Sequence, residues 1–112
     1  FFFFFTAFQT QYEELFTAID EIAEGIRALD ACAIGGLGTL ARVAQMKEFA
    51  APQTQEDYVR MLVAGNEKLA ADAAQAREAA GAANDQETQD LMVGRITIHQ
   101  KTIWMLKSFL KS

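Results

Sequence analysis

Phe8, Tyr12, Leu15, Phe16, Ile19, Ile22, Ala23, Ile26 and Leu29 recur at steps of three and four along a single stretch of the chain. At about 100° per residue this spacing gathers the side chains into one sector of an α-helix. A helix with so continuous an apolar stripe must cover it, which commits the chain to packing helix against helix.

The remaining sequence supports the same class. Pro52 is the only proline, and helix-favouring residues dominate between the few glycines, whereas an all-β chain would need many more turn signals. At 112 residues the chain is expected to form a single domain, residues 1–112. The first helix is expected from about Phe3 to Leu29, stopping near Asp30 before the glycine-rich connection Ala33 to Gly38. A short helix, Thr39 to Met46, follows. Thr54 reads as an N-cap, with Glu56 and Asp57 in the first turn behind Pro52. The helix it starts carries Tyr58, Met61, Leu62, Leu69, Ala73, Ala76 and Ala80 on one side and ends near Gly81. The last helix starts at Asn84 or Asp85 and runs to about Leu110, with Met92, Ile96, Ile103, Trp104 and Leu106 expected in the core.

Asp20 and Glu24 stand one helical turn apart on the flank of the first stripe, while Glu13, Glu14 and Glu21 fall beyond it and are expected to be solvated. By spacing alone, such a pair is ordinary on a solvated helix face; beside an apolar stripe, it also suits a metal or a partner. Ten basic and fifteen acidic residues leave a net charge of −5, which disfavours nucleic acid, and Lys101, Lys107 and Lys111 sit where cations suit a helix C-terminus. Cys32 has no partner for an intrachain disulfide, which is compatible with the reducing cytoplasm. The run Phe1 to Phe5 lacks the features of a secretory signal and the length of a membrane span. It is expected to be buried within or between subunits, unless it reflects how the sequence arose.

The run IDEIAEGIRALD, from Ile19 to Asp30, and the following GLGTL resemble the second helix and loop of the Dps family, the small ferritins, whose pattern reads D-x-x-A-E-R-I-R-x-L-G. RITIHQKTIWMLKSFL, from Arg95 to Leu110, is similar to that family's last helix. The resemblance implies an all-α, ferritin-like four-helix bundle, of which three long helices and one short connecting helix are visible. It implies that the family's first long helix, with its histidine ligand, precedes Phe1 in a longer chain, the alternative being a fragment or redesign whose exposed groove another subunit fills. It further implies a homo-oligomeric cage, a dodecamer, that oxidises Fe(II) with peroxide or oxygen and stores ferric mineral. In the family, the acids matching Asp20 and Glu24 bind iron across a two-fold axis, completed by histidines of the neighbouring subunit.

Two departures bear on that expectation. The family's F-x-x-L-H-x-x-F-[DE] histidine falls on Phe5 and its acid on Gln9, and Gly25 replaces a usual arginine. Iron oxidation by a ferroxidase-type site then depends on residues outside this sequence; otherwise the chain is a non-catalytic cage, or a helical interaction module. The family places a tryptophan near its iron, and Asp85, Glu87 and Asp90 match acids at its three-fold pore, although helix capping accounts for them equally well. His99 has Ile96 three residues before it and reads as a hydrogen-bonded interface or surface residue, not a ligand. The resemblance names DNA as a partner and the nucleoid as a location; this acidic chain supports neither.

Overall fold

The computed structural model describes residues 2–46, 51 and 54–111. Those residues form four α-helices and no strand: α1 Phe2–Ala28, α2 Leu37–Ala44, α3 Gln55–Ala82 and α4 Gln86–Ser108. Three are long and one short, as expected. The chain divides into two compact units, Phe1–Glu48 and Phe49–Ser112.

In the first unit, α1 ends where the sequence predicts. Asp30 adopts a left-handed conformation, φ 64°, so that Ala31 N donates to Ile26 O at 3.2 Å and Asp30 N to Arg27 O at 3.0 Å. This pair of bonds occupies carbonyls that a helix end would otherwise leave open. Helix α2 begins two residues earlier than expected, directly after Gly36, whose φ of 87° a side chain would resist.

The second unit is a helical hairpin of α3 and α4. Thr54 caps α3 as expected: its hydroxyl accepts from Asp57 N at 3.1 Å, and Asp57 Oδ2 accepts from Thr54 N at 3.1 Å. Each half satisfies an amide that the first turn cannot. Pro52, expected just upstream, lies outside the described residues. At the other end, Asn84 takes φ 58°, Asp85 N donates to Ala80 O at 2.8 Å, and Asn84 N donates to Gly81 O at 3.1 Å. Asp85 then caps α4 through Thr88 N at 3.1 Å. One residue closes α3 and opens α4, which keeps the turn short and the helices antiparallel.

The stripe expected on α3 is rotated, whereas on α4 Met92 and Leu106 are buried as expected, Ile96 and Ile103 are half-buried, and Trp104 departs from the expected core. On α3 the buried positions are Val59, Val63, Asn66, Ala73 and Ala80, whereas Tyr58 and Leu69 are exposed. Tyr58 lies one residue, about 100°, round the helix from Val59. On α4 the buried positions are Met92, Arg95, His99 and Leu106, and Trp104 is 70 % exposed, not in the core. It lies two positions before Leu106, about 200° round the helix. The middle of the hairpin core is polar, and an apolar count passes over Asn66, Arg95 and His99.

Candidate metal centre

Helix α1 has two apolar faces where the sequence suggested one stripe. Ala18 is buried, and Gln11, Leu15 and Ile22 beside it are half-buried. Further round, Phe5, Tyr12, Phe16 and Ile19 are each about two-thirds exposed, at 60, 68, 62 and 64 %. These four lie within a sector about 60° wide. The rings of Tyr12 and Phe16 stack at 6.4 Å between centroids with a 32° tilt, so the patch is continuous along one helical turn.

Asp20 and Glu24 border this exposed apolar sector, about 40° and 80° round from Phe16. Both are exposed. As carboxylates they offer hard oxygen donors suited to Fe(II) and Fe(III). Among the described residues no group of three or more His, Cys, Asp or Glu converges as a metal site.

The other positions of α1 that the family resemblance singles out are Phe5, Gln9 and Gly25. Phe5, at the family's histidine position, is exposed and has no donor atom; Phe3 is likewise 76 % exposed, so neither is buried within this chain. Gln9 turns along its own helix, its amide donating to Glu13 Oε1 at 3.2 Å. At Gly25 a Cβ would meet nothing within 4 Å, so the missing arginine leaves open space beside Glu24. Arg27 instead reaches the helix end and donates to Ala31 O at 3.2 Å, where a cation suits the helix dipole. Glu13 and Glu21 are exposed as expected, but Glu14 is half-buried.

The other candidates lie elsewhere. Asp85 accepts from Thr88 Oγ1 at 2.6 Å as well as from Thr88 N, and these two bonds hold its carboxyl below the usual carboxylate range. It is a helix cap, while Glu87 and Asp90 are exposed. His99 is hydrogen-bonded, but it is buried and not at the surface, between Arg95 and Asn66. No sequence signal marked those two neighbours; a polar residue at a core step of a helix is its only trace.

The family model for the ferritin-like domain matches residues 1–112. The chain is 31 % identical over 103 residues to DNA protection during starvation protein 2 of Bacillus anthracis, covering 92 % of this chain and 70 % of that protein. It is 29 % identical over 109 residues to the DNA protection during starvation protein of Porphyromonas gingivalis, covering 91 % and 64 %. Among solved structures it superposes on Dps from Staphylococcus aureus with a TM-score of 0.92 at 30 % identity, covering 100 % of this chain and 75 % of that one. Dps from Thermosynechococcus elongatus matches with a TM-score of 0.88 at 30 % identity, covering 96 % and 68 %.

Proposed function

The chain belongs to the Dps family of ferritin-like proteins, and from that premise we propose that it sequesters iron, oxidising Fe(II) at sites shared between subunits of a hollow dodecamer and storing the ferric product. Its physiological role on this reading is protection from iron and peroxide under stress. The observation that carries the proposal is the position of Asp20 and Glu24, exposed and unconverged, along the border of an exposed apolar sector of α1.

A second copy packed on Phe5, Tyr12, Phe16 and Ile19 covers that sector, and a two-fold contact creates two equivalent sites at once. Asp20 and Glu24 hold ferrous ions by their carboxylate oxygens, and the neighbour completes the coordination. Burial beneath the aromatic cluster excludes bulk water and strengthens each charge interaction. Two ferrous ions each give one electron to one hydrogen peroxide, which takes up two protons and leaves as two waters. The protein's part is to hold the two metals close in an enclosed polar place.

Stopped-flow measurement of ferric absorbance after Fe(II) and peroxide are mixed tests the reading. Asp20→Asn and Glu24→Gln keep shape and remove charge; each should slow oxidation more than about tenfold while the oligomer persists. Unchanged rates in the double variant would reject the assignment. A second reading, a cage of the same architecture that lacks ferroxidase activity, has its own support in Phe5 and in the Gln9 amide turned to Glu13. It predicts the oligomer with oxidation at the rate of free Fe(II) in the unmodified protein.

A further inference from the structure

In the hairpin core, Asn66, Arg95 and His99 are 6, 5 and 4 % exposed. Arg95 Nη2 lies 2.9 Å from His99 Nε2, His99 Nδ1 lies 2.8 Å from Asn66 Oδ1, and Asn66 Nδ2 lies 2.8 Å from Leu62 O. The chemistry of the two ends of this chain of bonds assigns the protons along it. A guanidinium only donates, so Nε2 must present its lone pair; a carbonyl only accepts, so the atom facing Leu62 must be the Asn66 NH2 group. The Asn66 oxygen is then left for the ring, and Nδ1 must carry the hydrogen.

We infer that His99 is held as the neutral Nδ1–H tautomer and acts as a directional lock between α4 and α3. The bond from Nδ1 to Asn66 joins residues 33 apart in sequence, whereas apolar contacts along the same hairpin do not specify one register. Shifting either helix by one residue turns a lock group about 100° out of line and leaves its partners buried without it. The lock also commits the Nε2 lone pair, so this ring supplies no nitrogen ligand to a metal. The result is a conformational device built from α3 and α4 alone.

The chain contains one histidine, so its ring nitrogens give a single pair of signals. Magic-angle-spinning NMR of sedimented, ring-15N-labelled protein at pH 7 reads both at any assembly size. The expected result is one protonated nitrogen, bonded in sequence to Cγ, and one unprotonated nitrogen at Nε2, with neither moved by added Zn(II). A proton on Nε2, a doubly protonated ring, or a Zn(II)-induced shift at Nε2 would overturn the assignment. In Asn66→Ala the uniform Nδ1–H signal should split or broaden as the ring loses its acceptor, while circular dichroism checks that the helices remain. An unchanged sharp Nδ1–H signal in that folded variant counts equally against the lock.

Discussion

Asn66→Ala removes two hydrogen bonds from the hairpin core, those with His99 Nδ1 and with Leu62 O, and puts no acceptor in their place. The Leu62 carbonyl keeps its position in the helix and loses little. The His99 Nδ1–H loses its Asn66 acceptor at a site only 4 % exposed, and depriving a buried donor of its partner costs about 1–3 kcal/mol. Surface substitutions away from such features stay within about 0.5 kcal/mol, so the expected effect is distinguishable. Urea unfolding followed by helical circular dichroism, at one fixed protein concentration, gives the difference. His99→Ala and the double variant complete a cycle. A shared hydrogen bond should leave a coupling energy of about 1 kcal/mol or more, since removing the second partner costs less once the first has gone. Additivity within about 0.3–0.5 kcal/mol would refute the reasoning, because groups that do not interact behave that way.

The two helix caps yield further expectations. Thr54→Ala removes the hydroxyl that accepts from Asp57 N and should lower stability by about 1 kcal/mol in the same urea assay, with amide exchange accelerated in the first turn of α3. Asp85 has a folded pKa below its ordinary 3.8, so its contribution is fully present above that value and is lost as pH falls through the folded pKa. Against Asp85→Asn, which caps without titrating, the stability advantage of the aspartate should therefore shrink as pH falls below about 4; a difference that stays constant would contradict the stated bonds to Thr88.

The helix ends were legible because each depends on one or two residues with strong local preferences. Asp30 and Asn84 tolerate the left-handed conformation, Thr54 and Asp85 supply capping oxygens, and none of these needs a distant partner. The faces were less legible. Tyr58, Leu69 and Trp104 are large and apolar but lie outside the packed stripe, while Asn66, Arg95 and His99 are polar and lie at its centre. These last three are joined by hydrogen bonds, one of which links His99 to Asn66 across 33 residues, and helical periodicity does not encode such pairing. On α1 the spacing revealed a wide apolar stripe but not its division into a covered half and an exposed half. Asp20 and Glu24 were visible as a pair on the flank; their place beside the exposed half emerges only with the fold.

Native mass spectrometry after anaerobic Fe(II) loading, on the unmodified protein and on a Phe16→Glu variant, tests most directly the claim that the α1 face makes a shared iron site. The account predicts a dodecamer that retains iron, and a variant that falls to smaller species and loses the bound metal together with the contact. An unmodified protein that stays monomeric, or an assembly and iron content unaffected by a charge placed at Phe16, would contradict it.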